Sequence, residues 1–354
     1  EPASGIESPK GYVGISDTDG DTSFREVPPK NITGKNRKVA LILSAPRSGS
    51  TLLRVMLAGH PNVFAPPELH LLQSDNMQQW QDRLGGSYLD EGLLRAFMEL
   101  KGIDADQARE QISILVKRKA GIGEVYDILK QEAGGRLLVD KSPSYAGHFR
   151  TLQRAEALID EAYYICLIRH PYAVVESYVR NRMDRLTDSR GTDPYQTAEE
   201  VWTVSNRNMM RLMANVDAGR SLIVRFEDLV ADPEATAKEV CSFLDLPYDT
   251  AMIRPYDGDR MTDGATHKSM AIGDPNFLNR DHIDSNLAEV WRSIFLPRPL
   301  GENTCEVACH YGYELLEGKS EVQDKAVATL TDRRESYVEL SGLSICVCEW
   351  GSDD

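Results

Sequence analysis

The sequence predicts an α/β protein: a central, mostly parallel sheet flanked by helices on both faces. Three observations carry that prediction. Short apolar runs of strand length alternate with stretches of helical spacing, and the connections between the runs are helix-length rather than hairpin-length. The chain, at 354 residues with 41% hydrophobic content, is also long enough to bury the core that such a sheet needs.

Taken in order, residues 1–36 are rich in Gly, Pro, Ser, Asp and Glu with little periodicity, as expected of a linker or N-terminal arm. The folded region is expected over 37–317. It opens with the strand KVALILSA and the helix LLRVMLAG, followed by a helical stretch from about Asp90 to Glu132 and the strand RLLVDKS. AYYICLIRH with YAVVESYVRNRM, and SLIVRFEDL with PEATAKEVCSFLDL, repeat the strand-then-helix order. The stretches 74–100 and 184–216 are lid candidates by their position between core elements. Residues 318–354 read as a polar connection and then ESYVELSGLSICVCEW, which alternates about a Ser-Gly turn as a β-hairpin would. This last piece is expected to open a further domain, and a chain that starts at Glu1 and ends in an acidic stub reads as part of a longer polypeptide.

Forty Lys and Arg against 55 Asp and Glu give a formal charge of −15. That argues against broad attraction to nucleic acid or to an anionic membrane, so any anionic ligand must be held by local donors. No apolar run approaches the roughly 18–20 residues of a membrane span, and the N-terminus lacks a signal peptide's basic and apolar regions, so a cytoplasmic protein is expected. The six cysteines (Cys166, Cys241, Cys305, Cys309, Cys346, Cys348) lack zinc-site spacing and read as reduced structural thiols. No carboxylate cluster is placed to hold a metal.

KVALILSAPRSGSTLLRVML runs from strand through a glycine-containing loop into a helix, which presents backbone N–H groups and the positive end of the helix dipole to the crevice. Gly49 permits close approach, Ser48, Ser50 and Thr51 add hydroxyls, and Arg47 supplies a permanent planar cation. The alternative is an ordinary strand-to-helix turn with Arg47 on the surface. No lysine follows the glycine, so this is not a Walker loop. In YYICLIRHPYAVVESYV, Arg169 closes a strand and Ser177, eight residues on, lies on the next helix. The two could grip a second phosphate, or be a salt-bridging arginine and an ordinary helical serine. Two anion sites at the carboxyl edge of one parallel sheet suit a ligand with phosphates at both ends.

Together these segments resemble the sulfotransferases that use 3′-phosphoadenosine 5′-phosphosulfate (PAPS), with VDKSP at 139–143 and RFEDLVADPEATAKEVCSFLDLP at 225–247 as further matches. The resemblance covers roughly Lys38 to Leu316 and implies the P-loop-like sulfotransferase fold, with PAP as the nucleotide product and no metal. It implies that Arg47, Ser48, Gly49, Ser50, Thr51 and Leu52 surround the 5′-phosphosulfate and that Arg169 and Ser177 hold the 3′-phosphate. IGDPNFLNRDHI at 272–283 corresponds to the late nucleotide loop and contributes Gly273, Asp274, Asn276 and Phe277, although it departs from the Arg-Lys-Gly pattern of the cytosolic branch. The Arg-Ser-Gly loop is closer to the tyrosyl-protein and bacterial branches, which place a catalytic glutamate about where Glu68 stands, 21 residues after Arg47.

Sulfuryl transfer needs in-line attack, stabilisation of the departing phosphate and a base for the hydroxyl proton. PPELHLL offers Glu68 and His70. Glu68 would act as base with a pKa raised by an apolar lining, or would be a helix N-terminal carboxylate. His267 in GATHKSM is the rival base. Arg47 serves the leaving side, and Lys141 either reaches the sulfuryl group or is a surface lysine at a strand end.

The terminal hairpin resembles the opening of an α/β-hydrolase thioesterase, and a sulfotransferase directly followed by a thioesterase resembles the tandem of modular polyketide and olefin synthases. That resemblance implies, as acceptor, the β-hydroxyl of an acyl chain on an acyl carrier protein's phosphopantetheine arm. Arg180, Arg182, Arg185 and Arg190 are the basic patch available to an acidic carrier, or else a solvated helical face. The competing expectations are a sulfotransferase for a free alcohol, sugar or tyrosyl acceptor, and a non-catalytic nucleotide-binding module or small-molecule kinase.

Overall fold

Each apolar run becomes a strand because alternate residues have a separate core to enter on each face. The computed structural model of the chain describes residues 39–183, 193–262, 277, 280–315, 333–340 and 343–350. Five strands, β1 (Val39–Ser44), β2 (Val63–Phe64), β3 (Leu137–Lys141), β4 (Tyr163–Ile168) and β5 (Ser221–Arg225), form one sheet in the order β2-β3-β1-β4-β5. Every neighbouring pair is parallel. β1, β3 and β4 are buried along their whole length, as strands covered on both faces must be.

The period of two divides the core. Val39, Leu41 and Leu43 of β1 enter one cluster with Leu138, Tyr164 and Cys166, while Ala40 and Ile42 enter the other with Val139 and Ile165. The second cluster is closed by α1 (Ser50–Ala58), α9 (Phe226–Ala231) and α10 (Pro233–Leu244). The first is closed by α2 (Met77–Leu84), α3 (Glu91–Lys101), α4 (Ala105–Lys117), α5 (Ile122–Glu132), α6 (Phe149–Leu158), α8 (Pro194–Met213) and α11 (Glu302–His310). Between β4 and α8 lies α7 (Pro171–Arg180), with Pro171 at its first turn.

The Asp90–Glu132 stretch is thus three helices, broken at Gly102 and again before Gly121. The lid candidates are core elements where described: Trp80, Leu84, Leu93 and Phe97 are buried in the first cluster, as are Trp202, Met209 and Leu212 of α8. At the chain's end, β6 (Arg333–Leu340) and β7 (Leu343–Trp350) pair antiparallel in a two-stranded ladder. The arm 1–36, the connection 318–332, and Arg185, Arg190, His267, Gly273, Asp274 and Asn276 lie outside the described residues. Among the described residues, no helix is long and apolar enough to cross a membrane, and no three His, Cys, Asp or Glu side chains gather as a metal site would require.

Candidate active site

Sheet order places the site. The chain leaves β1 towards β2 and β3 on one side and later returns to add β4 on the other, so β1 and β4 flank the switch point where a crevice opens beyond the strands' carboxyl ends. The loop into α1 leaves one of these strands and Arg169 the other.

In the β1 loop, Arg47 and Gly49 both take left-handed backbone conformations, with φ of 69° and 91°. A side chain at Gly49 would be strained by that φ, and its Cβ would also collide with the ring of Phe226. No side chain caps the start of α1, and the Ser48 hydroxyl is buried without a hydrogen-bond partner among the described residues. Uncapped helical amides beside an unsatisfied buried hydroxyl have the donor chemistry of an anion site.

The two motifs meet. Arg47 Nε donates to Ser177 Oγ at 3.2 Å, and Arg169 Nη1 donates to the Arg47 carbonyl at 2.9 Å. The Arg169 guanidinium lies 4.2 Å over the Phe226 ring, and Trp202 Nε1 donates to the Arg169 carbonyl at 3.0 Å. Phe226 therefore does two things: it forces glycine at position 49 and supports the arginine of the second motif. Arg47, Gly49, Thr51, Leu52, Arg169 and Ser177 line one open pocket with a cavity volume of about 160 Å³. Phe277, from the late loop, lines it too, its ring stacked on Tyr256 with centroids 4.6 Å apart and planes 19° apart. Sequence reasoning missed Phe226, Tyr256 and Arg280, all in the wall. Arg180, assigned from sequence to a basic patch, is also in this wall and pairs with Glu176 at 2.7 Å.

A second group of side chains comes together at the end of β3. The register Ile42↔Lys141 sets Lys141 beside β1. Its ammonium, on a side chain only 1% exposed, lies 2.5 Å from Glu68 Oε1 and 3.4 Å from Thr51 Oγ1. The surface-lysine alternative is thus corrected. Glu68 is set by its surroundings: α3 packs so close to the Glu68 backbone that a Cβ at Gly92 would overlap its carbonyl. Nearby, buried Arg54 donates to Ala65 O at 2.9 Å and Arg260 O at 3.1 Å. Burial pushes the Arg54 pKa down to about 10, against the pull of Glu68.

His70 completes the group. Its Nε2 stands 3.1 Å from Glu68 Oε2, a close polar contact off the line of a hydrogen bond, and its Nδ1 is 3.1 Å from Ser144 Oγ. Behind it, Asp140 accepts from Tyr126 OH at 2.5 Å, Tyr145 OH at 2.9 Å and Ser142 Oγ at 3.0 Å. Tyr145 OH in turn accepts from Leu71 N at 2.8 Å, which fixes the loop that carries His70.

The Glu68 expectation needs correcting on one point. Burial alone would raise its carboxyl, but the Lys141 ammonium and then His70 outweigh that and hold it well below the usual carboxylate range. Glu68 is a carboxylate paired with Lys141, not one whose pKa is raised by an apolar lining.

The model of the sulfotransferase family matches residues 40–250. The chain belongs to the sulfotransferase family. The enzyme is similar to the sulfotransferase domain from the curacin biosynthetic pathway, at 46% identity and a TM-score of 0.76 over 79% of this chain and 99% of that one. It is similar also to the sulfotransferase domain of the Synechococcus PCC 7002 olefin synthase, at 45% identity and a TM-score of 0.73 over 81% of this chain and 99% of that one. Among curated proteins, nodulation protein NoeE of Sinorhizobium fredii is 26% identical over 72% of this chain, which spans 60% of that protein's length.

Proposed function

We propose that this sulfotransferase moves the sulfuryl group of PAPS to the β-hydroxyl of an acyl chain carried on an acyl carrier protein. The observation that carries the reading is the 45–46% identity to two sulfotransferase domains, one from an olefin synthase and one from the curacin pathway. The pocket fits the nucleotide. The uncapped start of α1, the buried Ser48 hydroxyl and Arg47 suit its 5′ end, Arg169 and Ser177 its 3′-phosphate, and the Tyr256–Phe277 pair an adenine face.

PAPS supplies an activated sulfuryl group, with PAP as the leaving group. Glu68 Oε1 accepts the proton of the attacking hydroxyl, as Lys141 shifts its charge from Glu68 towards the group being transferred. A carboxylate relieved of its lysine partner is a stronger base than the paired one, so activation of Glu68 coincides with ligand entry. His267, seven residues beyond Arg260, remains the rival base.

On this reading sulfation activates. The attacking oxygen bonds to sulfur and the bond from sulfur to the 5′-phosphate breaks. A thioesterase opened by the β6–β7 hairpin later hydrolyses the thioester, and loss of CO2 drives out sulfate to leave a terminal alkene. On the same reading the enzyme works in the cytoplasm.

Mass spectrometry of a 3-hydroxyacyl carrier protein incubated with the enzyme and PAPS tests the reading, with Glu68→Gln and His267→Ala in parallel. A mass gain of one sulfuryl group, lost in one variant that still binds PAP, supports the acceptor and names the base. No gain on the carrier, with sulfation of a free alcohol, sugar or tyrosyl peptide instead, overturns the acceptor. PAP binding without transfer to any of these favours a nucleotide-binding module.

A further inference from the structure

His70 is buried, faces a carboxylate, and takes a left-handed backbone conformation at φ 50° that is uncommon for a residue with a side chain. Three contacts surround it. Its backbone N–H donates to Ser142 Oγ at 3.2 Å, its Nδ1 faces Ser144 Oγ at 3.1 Å, and its Nε2 faces Glu68 Oε2 at 3.1 Å. Ser142 is itself tied to Asp140, so the imidazole rests on a buried polar scaffold.

The hydrogen positions follow from these partners. A bare nitrogen lone pair 3.1 Å from a carboxylate oxygen is disfavoured, so Nε2 carries a hydrogen, in a close contact with Oε2 that is off the line of a hydrogen bond. The Ser144 hydrogen has two acceptors, Nδ1 and Gln73 Oε1 at 3.3 Å. If it goes to Nδ1, that nitrogen accepts; if it goes to Gln73, Nδ1 donates to the Ser144 oxygen. In both states Glu68 Oε2 faces an N–H.

The two oxygens of Glu68 therefore have different neighbours. Oε1 faces the ammonium of Lys141, on a long side chain, and Oε2 faces His70, whose ring is held from behind by Ser144. We propose that His70 is a positioning residue for sulfuryl transfer, holding Oε2 of Glu68 so that Oε1 is the oxygen presented to the acceptor hydroxyl. This rests on the reading of Glu68 as the base. Without the imidazole the carboxylate is free to turn both oxygens to Lys141 and hold the ammonium away from the transferring group.

A double-mutant cycle tests it, using His70→Ala, His70→Gln, Glu68→Gln and the His70→Ala/Glu68→Gln pair, with PAPS and a 3-hydroxyacyl carrier protein. Expected are a fall in kcat of about 10- to 100-fold for His70→Ala, the range for loss of one contact to a charged group, and a KM for PAPS within about twofold of the parent, since no change in ground-state binding is involved. His70→Gln, which keeps an N–H near the Nε2 position, should recover most of the rate. In the Glu68→Gln background the His70→Ala change should cost nothing further. PAP affinity, measured on every variant, separates misfolding from the effect sought, and His70→Gln carries the test if His70→Ala does not fold. An inactive Glu68→Gln beside a fully active His70→Ala, or equal losses for His70→Ala in both backgrounds, overturns the positioning role alone. A fully active Glu68→Gln overturns the base assignment, and the positioning role with it.

Discussion

The loop after β1 and the Glu68–Lys141 pair at the end of β3 lie side by side, joined through Thr51, yet they are built on opposite plans. The loop is mostly backbone: two left-handed residues, a glycine forced by Phe226 and an uncapped helix start leave donors open for a ligand. The pair is side chains alone, each charge neutralising the other until something intervenes. A site made of backbone is set by folding and should govern affinity. A site made of mutually satisfied charges must be rearranged by its ligand and should govern rate.

The largest break in that contrast should come from Glu68→Gln, expected to lower kcat by about 10²- to 10⁴-fold, the usual weight of a general base, while the Kd for PAP by calorimetry stays near the parent value. Lys141→Met comes next, with kcat down about 10²- to 10³-fold for loss of one transition-state donor. In that variant the Glu68 pKa, followed by carboxylate infrared absorption, should rise, because burial would then act without its main opponent. A pKa that stayed low would mean that Lys141 is not what holds it.

Gly49→Ala should act on the other side of the comparison, weakening PAP binding at least about tenfold and destabilising the fold by about 1–3 kcal/mol. Unchanged affinity with unchanged melting temperature would show that the loop relaxes freely. Acid pH gives the smallest effect. The folded pKa of Glu68 lies below its unfolded value of 4.5, so the stabilisation is full above that pH and is lost as pH falls through the folded value. The melting-temperature gap between the parent and Glu68→Gln should therefore narrow below about pH 4.5.

The first region was legible in the sequence because it is local: PRSGST states loop, glycine and hydroxyls within a few residues. The sheet was legible for the same reason, except for β2, whose two residues carry no period. The second region is not local. Glu68 and Lys141 are 73 residues apart and meet because β3 lies next to β1, a fact of strand order that no spacing displays. Lys141 therefore read as equally plausible on the surface, and the Glu68 carboxyl was expected to be raised when its partner was unseen. Phe226 escaped notice likewise, since its importance lies in what it denies to Gly49.

The hydrogen bond from Arg169 to the Arg47 carbonyl gives the pocket the character of a calliper whose jaws share one pivot. On the proposed assignment of the two ends to the two phosphates, this bond ties their positions together, so a nucleotide would be gauged as a whole rather than recognised piece by piece. Widening one jaw for a different donor would misalign the other, and re-engineering of donor choice has to begin at that pivot.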